Sequence, residues 1–264
     1  MSKYFLFFKN SVTESLIYRA NIFFLFFSQL TSLGIYIFLW WAIYEQGGVV
    51  GEYSLDSLVV YYLISTFIGF TIQGPDVAWK VGDEVSSGVV TGLLLQPINY
   101  IGRTFSVILG KTVFNLSLMV GLLLFFALFK FDLVWLGVTD WERNGFFLIA
   151  ILLALGINFF IFFLVGILTF WLGLVQGLNF SMRMIMFFFA GNIIPLNLFP
   201  DFIERLVNWL PFKHIVWMPI QVFQRAIELE WTIFLPGLIW LIGLYFLSRF
   251  IFKKGIEKYE GFGA

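Results

Sequence analysis

The sequence predicts an all-α integral membrane protein with six transmembrane helices, and three observations carry that prediction. Of the 264 residues 60% are hydrophobic and only 12% are charged, against about 45–50% and about 25% in a soluble domain. So few charges cannot make a water-facing surface, and lipid must be the main solvent. The second observation is the length of the apolar runs: six reach the ~20 residues that a membrane-crossing helix needs. The third is their uniform apolarity. A closed β-barrel, the other spanning solution, would alternate polar and apolar positions, and these runs do not.

The elements follow in chain order. Residues 3–18 form an amphipathic helix lying at the membrane interface, with Lys3, Asn10, Thr13 and Glu14 on one side and Tyr4, Phe5, Phe8, Val12 and Leu16 on the other. A frayed extension of the first span is the alternative. The first span covers about 20–45, too long for the 7–15-residue core of a signal peptide and without a cleavage site after it, so it is expected to be retained. The second covers 57–75, the third 103–129, the fourth 144–171, the fifth 182–199 and the sixth 231–250. Val85 to Gly102 is also free of charge, but Gly88, Gly92, Pro97 and Asn99 interrupt it and place it at the surface. Within the segment 76–98, Pro75 and Asp76 make a good helix start. The segment 195–228 holds Pro200, Pro211 and Pro219, with Trp209, Trp217 and Trp231 suited to an interfacial belt. Two short amphipathic helices are expected there.

Orientation follows from Lys and Arg. With six spans, the side holding both termini carries eleven of the 16 basic residues but six of the 16 acidic ones. That side is read as cytoplasmic.

Composition also excludes chemistry. The chain has no Cys and a single His, which rules out disulfides, thiolate metal sites and histidine clusters. The zero net charge gives no attraction to nucleic acid. Gly110-Lys111-Thr112 ends like a phosphate-binding loop, but Phe105 stands where that loop requires Gly. Lys111 is read instead as an interfacial cation. Asn115-Leu116-Ser117 is a glycosylation pattern inside a span, hence without meaning. His214 is read as an interfacial hydrogen-bonding residue. The span interiors hold no ionisable groups, which argues against ion-coupled transport. Their polar residues are Gln29, Thr31, Thr66, Thr71, Gln73, Asn115, Asn158 and Asn192, each most simply a partner in interhelical hydrogen bonding.

Two motifs then carry a resemblance. GDEVSSGVVTGLLLQPIN at 82–99 fits the pattern E-[IV]-x-x-G-x-[IVL]-x-x-x-L-L-x-P through Glu84, Val85, Gly88, Leu94, Leu95 and Pro97. AGNIIPLNLFP at 190–200 fits G-x-x-[IVF]-P-x-x-x-[FL]-P through Gly191, Pro195, Phe199 and Pro200, and Leu210, Pro211 and Phe212 follow as the family's L-P-F. With the span layout, nearly the whole chain resembles the membrane subunit of a type-2 ABC exporter, in particular bacterial permeases that often work as unlike pairs. The resemblance implies a cytoplasmic coupling helix between spans two and three, with Asp83, Glu84, Val85, Gly88, Leu94, Leu95 and Pro97 at the contact with an ATPase subunit. It implies two copies of that subunit, a second permease that is identical or related, and a location in the bacterial plasma (inner) membrane. ATP and Mg would be bound by the partner, with no cofactor in this chain. Gly191, Asn192, Pro195, Phe199 and Pro200 are the candidates for the outer mouth of a path taking an amphipathic or lipid-like substrate. Gly191 and Pro195 are expected to break the fifth helix there. The rival readings are an intramembrane lipid-modifying enzyme using Asp201, Glu204 and His214, and a passive channel subunit.

Overall fold

A computed structural model describes residues 3–17, 19–48, 50–51, 53–128 and 140–259. The expected ends of the interfacial helix at 18 and of the third span at 129 lie outside these residues. Among them there is no strand, only an isolated antiparallel bridge between Val50 and Tyr53.

The long helices are α1 (Lys3–Ile17), α2 (Arg19–Glu45), α3 (Leu55–Thr71), α4 (Gly74–Ser86), then after the short α5 (Val89–Leu94) α6 (Tyr100–Leu128) and α7 (Trp141–Ile167). After the one-turn α8 (Thr169–Leu172) come α9 (Gln176–Phe189), α10 (Asp201–Trp209), α11 (Trp217–Phe223) and α12 (Leu235–Lys258). By length and composition, four stretches of the described residues can cross a membrane: Phe27–Glu45, Leu55–Ser86, Trp141–Leu172 and Trp231–Lys258. A count of six rests on two further helices. One is α6, with 29 residues. The other is α9, whose 14 residues reach only about 21 Å, short of the ~30 Å hydrocarbon core.

Local chemistry sets the helix ends. Ser54 and Ser57 form a reciprocal capping box at the start of α3. Asp140 caps α7 by accepting from the Arg143 backbone N–H at 3.2 Å, and this bond and the Arg225 guanidinium hold its carboxyl below the usual carboxylate range. The α3–α4 stretch breaks at Ile72–Gln73: Pro75, which has no N–H to give the Thr71 carbonyl one turn back, sits instead in the first turn of α4. The freed Phe70 carbonyl accepts from Gln73 Nε2 at 3.3 Å and from Asn115 Nδ2 of α6 at 3.1 Å.

The core is built on α7. Its Phe159, Phe162 and Phe163 are fully buried, and α4, α11 and α12 pack around it. The approach of α4 is close: a Cβ on Gly74 would sit 2.1 Å from Asn158 Oδ1 and 2.2 Å from Phe162. At one end of the bundle Tyr100 stacks on Phe252 at 5.0 Å, Phe252 lies 5.9 Å from Phe163, and Phe170 meets Tyr259 edge-on at 5.5 Å. These rings tie α6, α7, α8 and α12 together.

The short amphipathic pieces differ in detail from the sequence expectation. The α1 helix docks on the first turns of α6 through a small residue: Ser11 is buried and its Oγ donates to Val107 O at 2.7 Å. Phe5 and Leu16 stay exposed. Of the two helices expected to be amphipathic after Pro200, only α10 is. Its Phe202, Leu206 and Trp209 are exposed, and Val207 alone is buried. By contrast α11 is buried from Met218 to Phe223, because its one polar residue, Gln221, can donate to Tyr53 Oη at 3.4 Å.

Candidate functional site

Three features of the bundle concentrate polar groups: a hub at the α4–α6 corner, a sealed break after α9, and a cleft between them.

At the corner, Glu84 of α4 is buried and engages three partners. Tyr100 Oη donates to it at 2.7 Å, Arg103 bonds it at 3.0 Å, and Lys80, one turn back on α4, lies 3.1 Å away. Arg103 also sits over the Phe7 ring at 5.4 Å, joining α1 to the same hub. Gly88, with φ +79°, ends α4 and turns the chain into α5. Asn99 Oδ1 then accepts from Gly102 N at 2.9 Å and starts α6. Of the residues implied at an ATPase contact, Glu84 and Val85 face inward, Gly88 and Leu94 are half-buried, and Asp83, Leu95 and Pro97 are exposed. Leu95 is the most open of them at 83%. Trp79 and Val89 are exposed beside them.

At the far end of the bundle, α9 stops at Phe189 and Gly191 adopts φ +91°, a backbone that side-chain-bearing residues avoid. Irregular backbone in a bilayer must find partners within protein. It finds them on α3: Tyr61 Oη donates to Gly191 O and Tyr62 Oη to Ile193 O, both at 2.7 Å. Ser65 Oγ bonds Asn192 Oδ1 at 3.3 Å, and Trp217 N donates to Ala190 O at 3.0 Å. Leu196 is buried, Pro195 is buried, and Phe199 packs on Phe188 at 5.1 Å, with Pro200 exposed at the start of α10. The Tyr61–Tyr62 pair is not among the candidates read from sequence. Its signal was there, since a buried phenol needs an acceptor, but Tyr counts as apolar in a span.

Between the two ends runs a cleft of about 660 Å³, in the size range of small-molecule sites. Its walls are α2, with Ser28, Gln29, Ser32 and Tyr36, and α9, with Arg183, Met186 and Phe187. Its floor is α3, with Ser65 and Thr66, the break residue Gln73, and Asn158 of α7. Five of the eight polar residues singled out in the spans, Gln29, Thr66, Gln73, Asn158 and Asn192, thus share one cavity. Asn115 instead spends its amide on Phe70 O, Thr31 bonds its own helix at Phe27 O, and Thr71 is buried in the core. Lys111 pairs with Asp76 at 3.6 Å.

His214 is buried, and neither ring nitrogen has a partner among the described residues. Burial, and next the charge of Lys213, push its pKa down to about 4. Asp201 and Glu204 are not brought to it: Asp201 is exposed at the start of α10 and Glu204 lies on the same helix, with no hydrogen bond or ion pair to the imidazole.

A comparison with family models matches residues 30–263 to the ABC-2 family transporter proteins. No curated protein matches the chain. The match covers most of the sequence, and the chain belongs to that family. It is a multi-pass membrane component of an ABC transporter, and the family implies an ATPase subunit as its partner.

Proposed function

We propose that this chain is one of two permeases of an exporter in the bacterial inner membrane, with both termini in the cytoplasm, and that it conducts an amphipathic or lipid-like substrate along the α2–α3–α9 cleft. The observation that carries the reading is the cleft itself. Polar side chains gather in it within spans that otherwise shed polarity, and α2 and α9 leave their outer faces uncovered for a second permease. Two copies of an ATPase subunit bind the pair. Each docks on the exposed residues of the 76–98 segment, Asp83, Leu95 and Pro97, flanked by Trp79 and Val89. ATP and Mg stay in that subunit. Glu84 does not touch it but locks α4 to α6 and α1, so a push on the segment moves those helices together. The break at Gly191, Asn192 and Pro195, with Phe199 and Pro200, forms the outer mouth.

The test is a reconstitution of the full chain with its ATPase and companion permease in vesicles. ATP should drive loss of a fluorescent amphipath from one leaflet, and Leu95→Asp should uncouple ATP hydrolysis from transport without altering the purified chain. The reading fails if no ATPase associates, if Leu95→Asp is silent, or if flux proceeds without ATP.

A further inference from the structure

Arg183 lies eight residues into the 14-residue α9, and not at the inner edge of a span starting at 182 as the sequence predicts. One turn before it, Asn179 Nδ2 bonds Pro75 O at 3.1 Å, so Arg183 stands about 6 Å further along the helix, exposed within an apolar run. Met182, Met184, Ile185, Met186 and Phe187 surround it in sequence. An arginine at such a position is costly unless it faces a cavity or a counter-charge. Arg183 faces the cleft and has no hydrogen bond or ion pair among the described residues. The carboxylate that shares the cleft, Asp76, is engaged by Lys111. Further hydrogen-bonding capacity lines the same space: Gln29 and Thr66 spend no side-chain hydrogen bond within the described residues, and the Asn192 amide uses only its oxygen, toward Ser65. Beyond these groups Ile35 and Phe187 line the cleft and are exposed on its rim, continuing on α2 into exposed Phe38.

We propose that the cleft takes an amphipath with an anionic head, a phosphate or carboxylate, that Arg183 holds this head, and that the apolar tail leaves along Ile35 and Phe187 toward lipid. Arg183 matches the head because its planar fork bonds two oxygens of such an anion at once, and because one anion completes the charge balance of the cleft. The proposal rests on the cleft being the transport path, and deepens that reading by naming the charge of the cargo.

Binding to the full-length chain in neutral detergent tests it, with three probes: fluorescent phosphatidic acid, the fluorescent diacylglycerol with the same tails and no charge, and soluble glycerol phosphate as competitor. Phosphatidic acid should bind well above diacylglycerol, and glycerol phosphate should compete weakly. Arg183→Gln should weaken phosphatidic acid by about tenfold or more, the loss of a charge-assisted bond, and leave diacylglycerol unchanged. Arg183→Lys should retain part of the affinity, and Gln29→Leu should lose a few-fold. Arg249→Gln, on α12 outside the cleft, should change nothing. The proposal is overturned if Arg183→Gln binds phosphatidic acid like the parent, or if glycerol phosphate competes as well as the lipid. It is also overturned if the variant loses only its association with a second permease, which would make a partner's carboxylate the counter-charge. Binding needs no ATPase subunit, so a failure of the exporter reading shows separately, in the reconstituted assay.

Discussion

The helices α2 and α7 are both apolar enough to cross a bilayer, yet 67% of the most apolar stretch of Trp141–Leu172 is buried in the protein, against 11% of that in Phe27–Glu45. The difference does not come from hydrophobicity, because lipid solvates Leu and Phe as well as a protein core does. It comes from fit and from polar groups. Against α7, Gly74 of α4 lies hard on the Asn158 and Phe162 side chains, Gly166 of α7 meets the Ala78 backbone, and aromatic rings fill the rest. On α2 the exposed residues are large, with Phe27, Ile35, Phe38 and Trp41 among them, while Ser28, Gln29 and Ser32 turn to the cleft. One region is a closed frame whose ionic hub at Glu84 is fully engaged. The other is a wall on which Gln29 has no side-chain partner among the described residues. Substitutions in the frame should therefore cost stability, and substitutions on the wall should cost transport alone.

The largest effect is expected at Glu84. Removing its carboxylate in Glu84→Ala leaves Arg103 and Lys80 without their shared anion and Tyr100 without its acceptor. Breaking a buried ion pair by deleting one partner costs about 3–5 kcal/mol. Thermal unfolding of the purified chain in detergent should show it, and a parent-like melting curve would remove the hub from the frame.

His214 comes next, through pH. Its folded-state pKa of about 4 lies below the unfolded value of about 6.5. The folded state thus disfavours the proton. Stability is fully present above about pH 6.5 and falls as the pH drops toward 4, by up to about 3 kcal/mol. His214→Leu should flatten that slope, and should not destabilise at neutral pH, since both ring nitrogens are already without partners. Equal slopes in parent and variant would sink this assignment.

What the sequence made legible divides along the same line. Composition sufficed for the helical membrane class, because 12% charge leaves no other solvent. Helix ends were readable where a residue type forces them, as Pro75, Gly88 and Gly191 do. Direction was not readable. Glu84 stands in a motif beside Asp83, yet it turns inward while Asp83 turns out, because α4 is covered by α7 on one side and α6 on another. No periodicity within α4 reveals which neighbour brings a matching arginine. The cleft was equally hidden. Its polar residues lie on five helices and the turns between them, and only packing shows that Gln29 and Asn158 share a space while Asn115 does not. The α11 segment was misread as amphipathic because its proline signals resemble those of α10, and burial against α7 decides the matter.

The sealed break between frame and wall gives a smaller effect with a distinctive signature. Tyr61→Phe leaves the Gly191 carbonyl without its donor, at about 1–2 kcal/mol. Gly191→Ala forces a side chain into a left-handed backbone, at about 1–3 kcal/mol. Its Cβ would also lie 2.7 Å from Tyr61 Oη. Since Tyr61→Phe removes that oxygen, the double variant should lose less than the sum of the two singles. Strict additivity in a thermal or denaturant series would show that Tyr61 does not hold the break.

The smallest effect on stability, and the sharpest test of the comparison, is on the wall. Gln29 lies half-exposed in the cleft with no side-chain bond among the described residues. Gln29→Ala therefore removes no internal partner, leaves no orphan and opens no core cavity. Its stability should stay within about 0.5 kcal/mol of the parent, while ATP-driven flux of an amphipath in reconstituted vesicles should fall. A loss of stability comparable to that of Glu84→Ala would make α2 part of the frame after all. Unchanged flux at unchanged stability would leave the wall without a cargo, and the polar face of α2 would then be a seam for the second permease, visible as weaker association of the two chains.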